Sequence, residues 1–300
     1  MLDLIIIGAG PAGITASVYA ARKKMDFLVI SEDIGGQTAW SGDIENYTGY
    51  QFVSGPELVA KFEEHMRSYG TSLKENERVE EVKKLDNSIY IKTNKGEYHS
   101  KTAIIASGKR SRELGVSGEK EFKNKGLTYC ATCDGPLFAG KDVAVIGGGN
   151  SALDAALQLI RIASHVYIIN IAKGLTGDAI MQEKLRRSKN VTILNDTKIQ
   201  SIYGEKFVNG IKIKSSSKEK DIKVEGIFVE IGLIPNSFFI DGVEKNKAGE
   251  IKVNSYNETN IPGIFAAGDV TDIPEKQIII AAGEGAKAAL SAFRYLSRLK

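Results

Sequence analysis

A glycine turn that follows a short apolar strand and opens a helix occurs twice in this chain, 139 residues apart, and few folds accommodate that spacing. The first copy is Gly8-Ala-Gly10-Pro11-Ala12-Gly13, behind the apolar run 4–7. The second is Gly147-Gly-Gly149-Asn150-Ser151-Ala152, behind 143–146, with alanine as its third small residue. In such a turn the first glycine permits the bend and the second lets a pyrophosphate approach backbone. The third lets the helix pack against the strand. Phosphates then meet the free N–H groups at the positive end of the helix. Apolar runs without polar alternation read as buried parallel strands. The same order follows each turn: helix, second strand (27–30 and 166–169), alternating hairpin region (77–98 and 198–224), and a strand ending in glycine. Residues 103–106 lead into Gly108, and 227–231 lead into Gly232. This is a duplicated nucleotide-binding unit and not a short solenoid repeat. Helices are also predicted at 57–69 and 151–160, and 215–218 reads as an exposed turn.

The last segment starts no third copy. A strand at 263–267 ends in Gly268-Asp269, and a long helix is predicted over 283–299. Those pieces complete the first unit, so the second is inserted into it. The fold class expected is α/β, with two Rossmann-like dinucleotide-binding domains, each of three ββα layers. Residues 1–112 and 242–300 form one domain and 113–241 the other.

Charge excludes some function classes. Lys and Arg total 40 against 37 for Asp and Glu, which points to neither nucleic acid nor an anionic membrane as the main partner. The N-terminus enters a strand with no charged lead, and no apolar run is long enough to span a bilayer. A soluble, cytoplasmic protein is expected.

Cys130 and Cys133 are the two cysteines, in Cys130-Ala-Thr-Cys133-Asp134-Gly135. Two thiols so spaced in an otherwise cysteine-free chain suit redox chemistry, closing a disulfide in a tight turn, with one thiol of lowered pKa attacking a partner's disulfide. Half of a zinc site and an inert buried pair are the alternatives. Zinc wants four ligands, and His65, His99 and His165 are scattered without metal spacing, so no metal is expected. Asp134 is either an acid–base group for the thiols or the first residue of an Asp-Gly turn.

Glu32 lies nineteen residues past Gly13, where a carboxylate accepts hydrogen bonds from a ribose. Asp269, at a strand end, suits the ribitol of FAD, or else is a helix N-cap or turn residue. Past the second turn, 169–173 holds neither an arginine for a 2′-phosphate nor a carboxylate. Asn170 remains for the adenine ribose. The donor expected is NADH, with NADPH the alternative. Two dinucleotide sites with a dithiol between them describe a two-electron relay from nicotinamide through flavin to a disulfide.

The motifs together resemble the low-molecular-weight thioredoxin reductase family over almost the whole chain. They are the dithiol segment, 143–152, Gly35-Gly36-Gln37, Glu45-Asn46-Tyr47 and Ala266-Ala-Gly-Asp269. Segments 134–138, 226–236 and 277–287 are most similar to the reductase portion of the alkyl hydroperoxide reductase flavoprotein subunit. The resemblance implies one FAD per chain, a homodimer, the nicotinamide domain inserted into the FAD domain, and rotation between the two about hinges near 109–116 and 241–251. It implies that Cys133 faces the flavin, Cys130 attacks the substrate and Asp134 is the acid–base residue. Asn46, Asp269, Gln277 and Ile278 line the flavin and ribitol. Val79, Ala106, Gly108 and Gly268 complete the flavin candidates, and Gly232 joins Gly147, Gly149, Asn150, Ser151, Ala152 and Asn170 at the nicotinamide.

Thioredoxin-like domains that precede the reductase portion in that flavoprotein are not in this sequence, so the expected substrate is a separate thioredoxin- or glutaredoxin-like disulfide protein. The His-Arg-Arg run of NADPH-dependent members is replaced by Asn170-Ile171-Ala172, and the usual threonine of Ala-Thr-Gly by Ser107. Other readings are a disulfide oxidase that passes electrons to O₂, a reductase fed by ferredoxin or a deazaflavin, and a non-catalytic redox sensor.

Overall fold

The computed structural model describes residues 1–41, 43–44, 46–215 and 218–299, without the side chains of Trp40, Asp43 and Cys133. Glu45 and the middle of the turn expected at 215–218 therefore lie outside the described residues. The chain forms two compact units, one of residues 1–110 and 234–300, the other of 111–233. The crossings fall after Arg110 and Leu233, whereas the sequence places them after Arg112 and Asp241.

In the first unit a seven-stranded sheet forms. Leu2–Ala9 lies in parallel between Phe27–Ile34 and Glu97–Ile105. The strand Glu97–Ile105 serves two layers. Its first half pairs antiparallel with Ile89–Thr93, which pairs with Val79–Lys84, and its second half pairs in parallel with Ile264–Ala266. That division explains the unbroken apolar run at 4–7. Leu4 and Ile6 face a core shared with the helices, while Ile5 and Ile7 face a core under the antiparallel strands. Both faces are covered, so alternation is lost.

The second unit repeats the plan with a five-stranded sheet in the order Leu127–Thr128, Gly226–Val229, Asp142–Ile146, His165–Ile169, Val191–Leu194. Val143 and Val145 pack with the helices, and Ala144 and Ile146 pack against the antiparallel layer of Thr197–Gly204, Val208–Ser215 and Lys218–Ile222. The three-layer ββα expectation holds in both units.

Helical segments differ from the sequence reading, most at three places. The C-terminal helix is Ile278–Arg298, five residues longer at its start. Three successive isoleucines followed by Gly283 hide a helix start, because β-branched residues and glycine both have low helix propensity. Burial of Ala281, Ala282 and Gly285 overrides that; a Cβ on Gly285 would lie 2.0 Å from the Ala12 carbonyl oxygen on the first helix, Pro11–Arg22. The helix Ala179–Arg187 is not apparent from the sequence, since only Leu185 on it is buried and its polar faces mask the period. Cys133 lies not in a plain turn but on the helical segment Ala131–Asp134, which Cys130 immediately precedes and a 3₁₀ turn over Gly135–Phe138 continues.

Candidate active site

In the first unit the carboxyl ends of four strands carry most of the flavin candidates. Gly8 has φ +104°, and a Cβ there would stand 2.4 Å from the carbonyl oxygen of Ala106. A Cβ on Gly13 would stand 1.8 Å from the carbonyl oxygen of Gly8. Gly10 differs, because its Cβ would meet only the Gly35 carbonyl oxygen at 4.0 Å, so space remains in front of its backbone. The helix beginning at Pro11 has no side-chain cap and no acidic residue in its first turn. By contrast, Ser54 and Glu57 form a complete capping box on Gly55–Arg67. Uncapped N–H groups behind an open glycine fit an anionic diphosphate.

Around that cradle, the Gly35 N–H donates to the Ala9 carbonyl at 2.7 Å, and Gln37 Nε2 donates to the carbonyl of Lys109 at 2.9 Å. Gly108 has φ +62° with open space beside it, and Gly268 (φ +76°) approaches Ala12. Asn46 Nδ2 donates to Gln277 Oε1 at 3.0 Å, which ties two flavin candidates 231 residues apart and sets them beside Ile278. Glu32 is exposed at its strand end, 3.8 Å from Arg78. Val79 is the exception, since its side chain is buried in the antiparallel core. Asp269 does not cap the 3₁₀ turn Gly268–Val270, and burial, opposed by the charges of Lys276 and Lys109, pushes its carboxyl above the usual range. A half-buried carboxylate with no hydrogen-bond donor among the described residues fits the hydroxyls of a ribitol. These features together fit FAD.

A partly buried ionic cluster adjoining these residues escaped the sequence reading. Glu250 Oε1 lies 2.8 Å from Lys109 Nζ and 3.2 Å from Lys276 Nζ, and Asn246 donates to Oε2 at 2.5 Å. Burial pushes the Glu250 carboxyl up, but these donors outweigh it and hold it down at about 2. No local signal links positions 109, 250 and 276. Their only hint is that Lys109 follows Gly108 and Lys276 precedes Gln277.

The second unit repeats the turn. A Cβ on Gly147 (φ +141°) would lie 2.1 Å from the Glu230 carbonyl oxygen, whereas one on Gly149 would meet only Thr176 Oγ1 at 3.9 Å. Ala152 is fully buried, Ser151 is exposed, and Gly232 (φ +98°) opens on empty space. The helix Asn150–Leu159 again has neither a side-chain cap nor an acid in its first turn. Asn170 is not available as expected. Its Nδ2 donates to the carbonyls of Gly174 (2.8 Å) and Ala172 (3.2 Å), and its Oδ1 accepts the Ala172 N–H. The amide knits its own loop instead of facing a ribose. That loop also folds onto the turn: the N–H groups of Thr176 and Gly177 donate to the Gly148 carbonyl, and the Asp178 N–H donates to Asn150 Oδ1.

Glu230, at the end of the strand beside the fingerprint strand, also escaped the sequence reading. Burial, with the charge of Asp154 adding to it, pushes its carboxyl up to about 8. In the unfolded chain it titrates near 4.5. The stability tied to this proton is complete below pH 4.5 and is lost as pH rises through 8, on the order of a few kcal/mol. Glu230→Gln should therefore melt near wild type at pH 4.5 and several degrees higher at pH 8.5; an equal difference at both pH values contradicts this.

The dithiol segment packs on that second helix. Cys130 is disulfide-bonded, and its N–H donates to Thr128 Oγ1 at 3.1 Å. The Cys133 side chain lies outside the described residues. Asp134 heads the 3₁₀ turn without capping it by its side chain, so its carboxylate is not spent on the turn. Ala131 is buried with Phe138 and Leu159. Among the described residues no group of His, Cys, Asp or Glu side chains could hold a metal ion, and no helix is long and apolar enough to cross a membrane.

Two phosphate cradles on Rossmann-like sheets, with a disulfide beside the second, define a dinucleotide-dependent redox protein. The family model described as pyridine nucleotide-disulphide oxidoreductase matches residues 2–286, and the chain belongs to that family. Membership implies FAD and a nicotinamide nucleotide. Among solved structures, thioredoxin reductase from Lactococcus lactis superposes with a TM-score of 0.91 at 34% identity, covering 99% of this chain and 100% of that one. Thioredoxin reductase of T. acidophilum does so at 0.88 and 37%, covering 100% and 99%. The fold is thus that of the low-molecular-weight thioredoxin reductases. A Bacillus subtilis protein named NADH dehydrogenase is 44% identical over 99% of this chain, as is a Pseudomonas aeruginosa protein named as a subunit of alkyl hydroperoxide reductase. The chain spans 59% and 58% of those two relatives' own lengths.

Proposed function

We propose that this chain is an NADH-dependent flavoprotein disulfide reductase of thioredoxin reductase type, which acts as a homodimer on a thioredoxin- or glutaredoxin-like disulfide protein. The observation that carries the reading is the Cys130 disulfide packed on the very helix that the second glycine cradle opens. Bound FAD supplies the two-electron carrier between nicotinamide and disulfide. The Gly8–Gly13 turn and the helix from Pro11 hold its diphosphate, Glu32 a ribose, Asp269 the ribitol, and Asn46, Gln37, Gln277 and Ile278 surround the rest. Gly147, Gly149 and Ala152 give the nicotinamide nucleotide its place, with Gly232 beside them.

Once reduced, the Cys130 thiolate attacks one sulfur of the acceptor disulfide. A mixed disulfide forms, and the acceptor's other sulfur leaves as a thiolate that Asp134 protonates. Cys133 then attacks the Cys130 sulfur, which restores the internal disulfide and frees the acceptor's second thiol. NADH is favoured over NADPH because no guanidinium stands at 169–173, and a relative named NADH dehydrogenase agrees.

One observation favours a second reading, a non-nicotinamide donor such as ferredoxin or a deazaflavin. Asn170 is spent within its loop, and that loop hydrogen-bonds onto Gly148 and Asn150. A ferredoxin-flavin thioredoxin reductase from Clostridium acetobutylicum is 32% identical, with a TM-score of 0.55. Anaerobic stopped-flow mixing of the FAD-loaded protein decides. The expected result is rapid bleaching by NADH and bleaching at least about tenfold slower by NADPH at equal concentration. No bleaching by either nucleotide refutes the nicotinamide donor.

A further inference from the structure

Thr132 lies between the two cysteines, and its hydroxyl donates to Gln158 Oε1 at 2.9 Å. Gln158 in turn donates from Nε2 to Asp154 Oδ2 at 2.8 Å, one helical turn back on Asn150–Leu159. The amide orientation follows from chemistry. A carboxylate only accepts, so Asp154 takes the NH₂ end, and the carbonyl end is left for the threonine hydroxyl. These two hydrogen bonds run from the dithiol segment to the helix that the second cradle opens, entirely within residues 111–233.

We propose that Gln158 is a positioning residue for the dithiol: by clamping Thr132 to the second fingerprint helix it holds the Cys130–Cys133 segment in the geometry that favours disulfide closure. This deepens the reading given under the proposed function and rests on its dithiol chemistry.

Other ties of the segment are of a different kind: Thr128 accepts from the backbone N–H of Cys130, the Asp134 N–H donates to the Cys130 carbonyl, and Ala131 contributes an apolar contact without direction. The Thr132–Gln158 bond is a side-chain tie that fixes both position and rotation between the cysteines. Disulfide closure depends on how often two thiols meet, so a segment held in the closed shape gains effective concentration, and a loosened one loses it.

The test equilibrates FAD-loaded protein anaerobically with glutathione buffers of defined ratio, followed by acid quench, alkylation and mass measurement. The exchange balances: two protein thiols are oxidised to the disulfide, and one glutathione disulfide is reduced to two thiols, which take up the two protons. Gln158→Met and Thr132→Val should each lower the disulfide-closure constant about threefold to tenfold, the effect of one lost hydrogen bond. That is up to about 30 mV toward a more oxidising couple. The double variant should shift no further than either single, and Thr132→Ser should match wild type. Unchanged constants, or shifts that add in the double variant, overturn the proposal. Thr132→Ser keeps the assignment falsifiable if a larger change disturbs folding. The exchange needs no nicotinamide, so failure of NADH to bleach the flavin in the same samples counts against the donor assignment alone.

Discussion

Cys130→Ser is expected to abolish turnover of a thioredoxin-like disulfide, by about 10³-fold or more, while NADH still bleaches the flavin. The two parts of this result have separate causes. Serine cannot form the internal disulfide or the mixed disulfide, so thiol exchange has no route. The proposed flavin and nucleotide cradles rest on Gly8–Gly13 and Gly147–Ala152, neither of which includes Cys130. In a reductive titration the variant should accept one electron pair fewer per chain than wild type, because the disulfide is a two-electron couple. Equal uptake by both proteins would mean that the Cys130 disulfide is not a redox centre. Near-wild-type turnover by the variant would place the acceptor's chemistry elsewhere.

Gly13→Ala and Gly10→Ala should separate folding from cofactor binding at the first cradle. A methyl on Gly13 would fall 1.8 Å from the Gly8 carbonyl oxygen, which is backbone of the first strand. Backbone stands against backbone, so no side chain can give way, and helix and strand must part. The expected cost is about 3 kcal/mol or more, with loss of soluble protein or a melting temperature lowered by several degrees. A methyl on Gly10 meets nothing closer than 4.0 Å. That variant should fold with a near-wild-type melting temperature yet copurify with little FAD, because the methyl occupies the space through which a diphosphate reaches the N–H groups. Full flavin content in Gly10→Ala, measured by absorbance after heat release, would remove the diphosphate from this cradle.

Much of the fold was legible because its signals are local. The two strand–glycine–helix units were readable because close backbone approach tolerates so few residue types, and the runs 4–7 and 143–146 because burial on both faces leaves no polar position. Glu32 and Asp269, at strand ends, followed from that plan, whereas Gly35, Gly36, Gln37, Asn46 and Gln277 rested on the family resemblance. What stayed hidden depends on contacts between distant positions. Asn170 looked free for a ribose because its partners Gly174 and Ala172 satisfy it only through the loop's actual path. The Lys109–Glu250–Lys276 cluster joins three segments that share no spacing rule. Gln158 on its helix reads as an ordinary surface residue until Thr132 is seen beside it. Glu230 sits in a run that reads simply as a buried strand, and only the desolvation of its side chain marks it.

The relay itself is tested most directly by anaerobic titration of the FAD-loaded wild-type protein with NADH or dithionite, followed by thiol counting after acid quench. The expected result is uptake of about two electron pairs per chain, one retained by the flavin and one appearing as two new thiols at Cys130 and Cys133. Uptake of a single pair with no new thiols, or a purified chain that neither retains nor rebinds FAD, would contradict it.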